Sequence, residues 1–409
     1  MEFQQTKLEN GLTVIGEHNP QAKSVAVGYF VKTGSRDETP EVSGVSHFLE
    51  HMMFKGSEAI SGDEINTEFD EVGAKYNAFT NEELTAYHGA VLPEFQPRLV
   101  KLLTTMMRPA LRNNDFDVEK KVILEEIEMY KDRPSFMVFD ELRPTYFGQH
   151  PLGNSVLGTS QSIADLSRDA MYEYFARRYA PNNLVLGVAG NYDWNALLSQ
   201  VGEMTSTWTP AVTGRTQPTF APTSTVKTIN SSKINRAHIA LMTPGFSSTN
   251  PQRYAAGVLG WILGDGENSR LYWALVDNGL CDEASFDHTG EDGLGHFGGY
   301  ISTDPERAKE ALEVFKGVLK DAQQNGVTLE ELERAKRKVA VSMVLRAETP
   351  YSRLFSMSME YLDTHEYKPL SEVVKTVQSV KLEEVNAILE MKLFDAMTVV
   401  GLMPDGFEL

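Results

Sequence analysis

The chain has 409 residues, 41% of them apolar, and its 38 basic and 57 acidic side chains give a formal charge of −19. A chain of this length exceeds the size at which a single hydrophobic core usually stops growing, so we expect two domains. Because nucleic-acid affinity rests largely on Lys and Arg, the acidic balance argues against nucleic acid as a partner.

The single cysteine, Cys281, excludes an internal disulfide and a Cys-rich zinc site, and it suits a reducing compartment. The N-terminus has no basic stretch followed by an apolar run, and no segment approaches the roughly 18 apolar residues of a membrane span. We therefore predict a cytoplasmic location, with a processed organellar or exported form as the alternative, and no membrane partner.

The first half of the chain mixes strand and helix patterns. Alternation of apolar residues predicts strands at 3–8, 12–17, 24–31, 75–80 and 85–92, with a hairpin turn at Asn10-Gly11. Helical periodicity predicts helices at 45–54, 61–72, 94–107, 115–131 and 135–147. Hairpins together with strand-then-helix blocks favour an α+β fold with mainly antiparallel sheets.

The order of these features recurs at an offset of about 215 residues. Gly44-Val45 and the helix after it match Gly257-Val258. Residues 205–224 are rich in Thr, Pro, Ser and Ala and have no periodicity, which is typical of a linker. The sequence therefore predicts two tandem homologous α/β domains, 1–221 and 222–409, each a mainly antiparallel sheet packed with helices.

Three polar residues lie on one side of the helix predicted at 45–54. His47 and His51 are four positions apart, so both imidazoles can bind one zinc ion. Glu50 lies between them in projection, where its carboxylate can act on a water at the metal. An apolar stripe on the opposite side can anchor the helix in the core.

A catalytic zinc site needs a third protein ligand, and the helix predicted at 115–131 offers Glu126. We predict Glu126 at the centre of an apolar face formed by Val122, Ile123, Met129 and Tyr130. Glu119 lies seven residues earlier on the same face, whereas Glu125 and Glu128 are predicted to be solvated.

The stretch from Gly44 to Gly56, the spacing from His51 to Glu126, and the segment Asn77-Ala78-Phe79-Thr80 resemble the pitrilysin-type (M16) zinc metallopeptidases. The likeness covers nearly the whole chain. It implies that zinc is bound by His47, His51 and Glu126, that Glu50 is the general base, and that Glu119 supports the third ligand. It also implies an edge strand, with Asn77, Ala78 and Phe79, that holds an extended peptide substrate by main-chain pairing.

The second half departs from the family pattern. The positions that match the zinc site there are Gly260, Leu263, Gly264 and Ser342, so we expect one site per chain. Many members also carry an Arg and, seven residues later, a Tyr that bind substrate, where this chain has Leu275 and Asp282. We therefore predict the catalytic subunit of a heterodimer whose homologous partner supplies that pair. A homodimer, and a non-catalytic scaffold subunit of the same fold, remain the alternatives.

Overall fold

The computed structural model describes residues 1–409 and contains two β-sheets. Its backbone divides into two compact units. The first contains Met1–Ile127, Asn154–Thr216 and Arg346–Tyr367, and the second contains Glu128–Gly153, Gln217–Leu345 and Lys368–Leu409. The chain thus passes between units within the predicted linker, and each unit also receives one segment from the other half. The limits 1–221 and 222–409 describe the two copies of the sequence repeat, and they stay a prediction.

The first unit contains a six-stranded sheet of order β1-β2-β6-β3-β5-β4. Neighbouring strands are antiparallel, except that β2 and β6 are parallel. The central strands β3 and β6 are buried along their whole length, and β4 forms one edge. The strands are β1 (Glu2–Lys7), β2 (Thr13–His18), β3 (Val25–Val31), β4 (Lys75–Thr80), β5 (Thr85–Val91) and β6 (Leu184–Gly190).

The second unit contains a five-stranded sheet of order β7-β11-β8-β10-β9. It has one parallel pair, β7 with β11, followed by three antiparallel pairs. This pairing repeats that of β2-β6-β3-β5-β4, which confirms the predicted fold class of two tandem α+β domains. The strands are β7 (Val226–Asn230), β8 (Ala237–Pro244), β9 (Glu283–Gly290), β10 (Gly295–Thr303) and β11 (Thr398–Met403).

Fourteen α-helices pack with these sheets, and none of them combines the length and the apolar character needed to cross a membrane. The five helices predicted in the first half begin and end within two residues of the observed ones. The helices are α1 (Val45–Met53), α2 (Gly62–Glu71), α3 (Gln96–Met106), α4 (Asn113–Tyr130), α5 (Pro134–Phe147), α6 (Ser160–Asp165), α7 (Arg168–Arg178), α8 (Trp194–Thr205), α9 (Arg253–Gly264), α10 (Ala308–Asn325), α11 (Leu329–Arg346), α12 (Pro350–Thr364), α13 (Leu370–Ser379) and α14 (Leu382–Glu390).

Each sheet is covered on one face by a helix from the other half of the sequence. On the first sheet, Leu354 and Met357 of α12 pack in one core cluster with Phe30. On the second sheet, Val138 of α5 packs in a cluster with Met242. The two halves therefore exchange equivalent helices, and neither half of the sequence completes its own core.

Candidate metal centre

Gly44 is the N-cap residue of helix α1, and its φ of 89° lies in the left-handed region. A Cβ at this position would lie 2.6 Å from the carbonyl oxygen of Leu157, so glycine alone fits without strain. The missing side-chain cap is replaced by Glu38, which accepts hydrogen bonds of 2.7 Å from the N–H groups of Gly44 and Ser46. The side chain of Glu38 thus satisfies two amides at the start of the helix, although burial raises its pKa to about 8.

The apolar face of α1 fixes the direction of its polar face. Val45 and Phe48 have no exposed surface. The ring of Phe48 stacks on Phe116 of α4, with 4.8 Å between centroids. On the other side, the rings of His47 and His51 are 4.7 Å apart, as their spacing predicts. Packing of α1 on α4 therefore brings the two histidines toward the acidic residues of α4.

Glu126 of α4 meets both imidazoles. Its Oε2 atom lies 3.4 Å from Nε2 of His51 and 3.7 Å from Nε2 of His47. The ligand atoms of the three residues all lie within 4.8 Å of one another. In a tetrahedral zinc site with bonds of about 2.0–2.2 Å, ligand atoms are about 3.3–3.6 Å apart. The donor set therefore fits zinc, and the two distances to Glu126 lie near this range.

The two histidines differ in their electrostatic surroundings. Burial, and to a smaller extent the charge of His51, lower the pKa of His47 to about 3, so this ring is neutral, as a metal ligand must be. Burial also acts to lower the pKa of His51, but the hydrogen bond to Glu119 and the charges of Glu126, Glu119 and Glu50 outweigh it, and the net shift is upward. His51 thus lies in a negative potential that favours a bound cation.

Glu119 lies behind His51 and is 3% exposed. Its Oε1 atom is 2.8 Å from Nδ1 of His51, and its Oε2 atom is 2.5 Å from Nζ of Lys55. Burial acts to raise the pKa of Glu119, but the hydrogen bonds and charges of His51 and Lys55 outweigh it and lower the pKa. The ionised carboxylate can therefore hold the His51 ring with Nε2 toward the metal position. Its contact is with the second histidine rather than with Glu126, the ligand that the resemblance implies.

Glu50 is largely buried on the same side of α1 as the histidines. Its Oε2 atom accepts a hydrogen bond of 2.6 Å from Oγ1 of Thr80, at the end of β4. Burial raises the pKa of Glu50, and the bond from Thr80 and the charge of His51 only partly counter it. A carboxylate with a raised pKa can take a proton from water and later return it near neutral pH.

Strand β4 carries the three predicted substrate-binding residues. Asn77 is exposed, and the ring of Phe79 packs near Phe355 at 5.9 Å between centroids. Because side chains alternate along a strand, only Ala78 shares the face of Thr80 and Glu50. Two of the three side chains therefore point to the opposite face of the sheet, so a peptide at this edge would pair with the main chain.

The prediction that Glu126 lies at the centre of an apolar face is wrong in part. Val122 and Met129 are 42% and 48% exposed, and the buried side chains of α4 are Phe116, Glu119, Ile123 and Ile127. Glu125 and Glu128 are exposed, as predicted. Glu126 lies at the margin of the buried face, with 20% of its side chain exposed.

The second unit has no matching centre. Gly260, Leu263 and Gly264 of α9 offer no ligand atom on their side chains, and Ser342 of α11 replaces the third ligand. The backbone of Gly264 forms a bridge with Phe286 of β9. A Cβ at Gly264 would lie 2.2 Å from the amide nitrogen of Phe286, so the helix end lies against the strand with no room for a side chain.

Leu275 lies in a short π-helical turn, Tyr272–Val276, and Asp282 follows it. Leu275 is fully buried there. Asp282 forms an ion pair with Arg236. Neither side chain could bind a substrate carbonyl, which agrees with what the sequence indicates for this segment.

Sequence reasoning assigned no role to Thr80, Lys55 or Glu38. Thr80 and Lys55 lie inside the two segments that carry the family resemblance, but only three-dimensional contacts connect them to Glu50 and Glu119. Glu38 could have been suspected from the lack of a capping side chain at Gly44. The backbone between Glu38 and the amides that it binds is irregular, so no fixed sequence spacing connects them.

Solved structures resemble this chain over nearly its full length. A protease from Helicobacter pylori matches with a TM-score of 0.91 at 19% identity, covering 98% of this chain and 100% of that one. A structure from Pseudomonas fluorescens described as a peptidase M16 inactive domain matches with a TM-score of 0.88 at 20% identity, covering 100% and 99%. At these identities the likeness shows the fold alone.

Sequence relatives and family models carry the comparison further. Residues 13–160 match the model described as insulinase (peptidase family M16), and residues 165–339 match the peptidase M16 inactive domain. An uncharacterized zinc protease, YmxG, of Bacillus subtilis is 31% identical over 97% of both chains. An uncharacterized zinc protease of Streptomyces coelicolor is 31% identical over 98% of this chain and 90% of that one. Zinc is thus the metal named for these relatives, and the chain belongs to peptidase family M16.

Proposed function

We propose that the chain is a zinc-dependent metalloendopeptidase in which His47, His51 and Glu126 bind the metal and Glu50 is the general base. The observation that carries this proposal is the convergence of three ligand atoms within 4.8 Å, from two separate helices. Glu50 lies one position before His51 on the same helix, with its carboxylate directed toward the end of β4. A solvated helix face would not bring these four groups together inside a folded unit.

Bound zinc supplies a Lewis acid that lowers the pKa of water and polarises a carbonyl oxygen. When water attacks the peptide carbonyl, Glu50 can accept its proton and then return that proton to the leaving amine. Glu119 keeps His51 in the tautomer and orientation that present Nε2. Each residue thus has one role that its contacts support.

Strand β4 is the element we propose for substrate binding. It is an edge strand, so its outer N–H and C=O groups have no strand partner. An extended peptide can pair there in the manner of an added strand, through main-chain atoms of Asn77, Ala78 and Phe79. Recognition of this kind depends little on side chains, so we expect unfolded or flexible peptides as substrates.

The general base is tested by Glu50→Gln, with Glu125→Gln on the exposed side of α4 as the matched control. We expect Glu50→Gln to bind zinc in the wild-type ratio and to lose peptide cleavage by about 100-fold or more, the usual scale for a positioned general base. Glu125→Gln should match the wild type in both measurements. Cleavage by Glu50→Gln at the wild-type rate would refute the proposal.

A homologous partner subunit is the second part of the proposal. Leu275 and Asp282 leave the chain without the Arg/Tyr pair of other members, and a heterodimer would restore it. The test compares peptide cleavage by the purified chain with cleavage after addition of a homologous chain that carries the pair. Full activity of this chain alone, unchanged by any such partner, would contradict the heterodimer.

A non-catalytic scaffold role for the same fold requires no metal. The spacing of His47, His51 and Glu126 favours the peptidase instead, because a scaffold gains nothing from bringing three metal-binding side chains together. A reducing, cytoplasmic location also stays a prediction.

A further inference from the structure

We propose that Thr80 is a positioning residue for the general base, so that the strand which holds the peptide also sets the orientation of Glu50. The inference rests on the proposed function, since it assigns Glu50 the role of base. It adds a residue of β4 that acts through Glu50 and touches neither the metal nor the scissile bond.

The hydroxyl of Thr80 donates its hydrogen bond to the carboxylate of Glu50. Oγ1 of Thr80 lies 2.6 Å from Oε2 of Glu50, and the only other side-chain contact found for this hydroxyl is Oγ1 of Thr85 at 3.5 Å. The Thr85 hydroxyl donates its own hydrogen to the carbonyl oxygen of Thr33 at 2.9 Å. Because the contact to the carboxylate is shorter and charge-assisted, it is the one that forms.

The hydroxyl is fixed by the fold around it. Thr80 is the last residue of β4 and pairs with Thr85 in β5. The turn between the strands is closed by Asn81, whose Oδ1 atom accepts hydrogen bonds of 2.9 and 2.8 Å from the amides of Glu83 and Leu84. The carbonyl oxygen of Asn81 also accepts a bond from the amide of Ser35. Thr80 therefore has little freedom to follow Glu50, and Glu50 must adjust to Thr80.

This contact fixes one carboxylate oxygen and thereby the direction of the other. With Oε2 held by Thr80, Oε1 is the oxygen left to accept the proton of the attacking water. The same strand presents its open edge, at Ala78 and its neighbours, to the peptide that we propose as substrate. The same strand would thus position both the general base and the peptide carbonyl, as a preorganised site requires.

A positioning role predicts a loss in kcat rather than in binding. We expect Thr80→Val to lower kcat by about tenfold, the scale of one charge-assisted hydrogen bond, with KM and zinc content changed by no more than about twofold. Thr80→Ser keeps the hydroxyl and should restore kcat to within about threefold of the wild type. Thr105→Val removes an exposed hydroxyl that bonds only within its own helix, and it should change nothing.

A kcat for Thr80→Val equal to that of the wild type would overturn the proposal, as would an equal loss in Thr80→Val and Thr80→Ser. If Thr80→Val does not fold, the comparison of Thr80→Ala with Thr80→Ser carries the same test, because only the hydroxyl separates their expected rates. In a Glu50→Gln background, Thr80→Val should cause no further loss. If Glu50→Gln is inactive and Thr80→Val is fully active, only the role of Thr80 is rejected. If Glu50→Gln is fully active, the proposed function itself is rejected.

Discussion

Nδ1 of His51 and Oε1 of Glu119 are 2.8 Å apart, although 68 residues separate them in sequence. The ammonium group of Lys55 closes the other side of the same carboxylate at 2.5 Å. The ionised carboxylate can accept a hydrogen bond from Nδ1–H of His51, which leaves Nε2 of that ring facing Glu126. Glu119 therefore contacts one residue of the candidate metal centre and lies outside the three that could bind the ion.

The first prediction is that Glu119→Gln weakens zinc binding. The amide is neutral and cannot stabilise the His51 ring as the carboxylate does, so we expect affinity to fall by about 10- to 100-fold, the range for an outer-shell partner. Competition with a chromophoric chelator measures the change directly, without reference to activity. Glu125→Gln, on the exposed side of the same helix, should keep the affinity of the wild type. Equal affinities in the two variants would show that Glu119 does not orient the ligand.

The clustering of the candidate ligands was largely predictable because these residues follow helical spacing. His47, Glu50 and His51 needed only the geometry of one helix, and Glu126 needed in addition the family resemblance. The burial around Glu126 was predicted less well, since Val122 and Met129 are exposed although a helical projection places them with the core. Single apolar residues are common on protein surfaces, so periodicity alone does not show how far a buried face extends around a helix.

The exchange of α5 and α12 between the two halves of the sequence could not be predicted. Helical periodicity shows that a helix has an apolar face, but it does not show which sheet receives that face. Arg353 and Glu17 are 336 positions apart and come together only because α12 returns to the first sheet. The contact between Thr80 and Glu50 is of the same kind, since neither residue indicates the other in sequence.

The second prediction concerns that buried pair. Arg353 donates its Nε hydrogen to Oε2 of Glu17 at 2.7 Å, and the two residues are 6% and 1% exposed. We expect Arg353→Met to lower the free energy of unfolding by about 3–5 kcal/mol, because it leaves a buried carboxylate unpaired. Urea unfolding measures the loss. The double variant Glu17→Leu/Arg353→Met should recover much of it, and a double variant no more stable than Arg353→Met would contradict this explanation.

The third prediction is a loss of stability at acidic pH that depends on His88. Burial lowers the pKa of His88 to about 4, and the ring lies 4.7 Å from Phe355 and 5.2 Å from Tyr351 between centroids. The unfolded chain, with an ordinary histidine pKa of about 6.5, binds more protons between these values. The contribution of neutral His88 to the free energy of unfolding is therefore fully present above about pH 6.5. As the pH decreases toward about 4, this residue lowers the free energy of unfolding by up to about 3 kcal/mol.

His88→Phe should reduce that loss, because the phenyl ring fills the same aromatic cluster and has no proton to gain. Urea unfolding of the zinc-free proteins at about pH 7.5 and about pH 4.5 gives the comparison, since protons also compete with metal for His47 and His51. A variant that loses as much stability as the wild type over this interval would show that His88 does not contribute.

The last prediction concerns Gly264 and the lack of a matching metal centre in the second unit. Gly264 occupies the position that matches His51, and a Cβ there would lie 2.2 Å from the backbone nitrogen of Phe286. Any side chain must push α9 away from β9, so we expect Gly264→Ala to cost about 1–3 kcal/mol of stability. The matched control is Gly202→Ala in α8, where no atom lies within 4 Å and a gain of about 0.5–1 kcal/mol is expected. Thermal unfolding of both variants tests the contrast. A neutral Gly264→Ala would mean that the helix can move away from the strand, and that packing is not what excludes a histidine from this position.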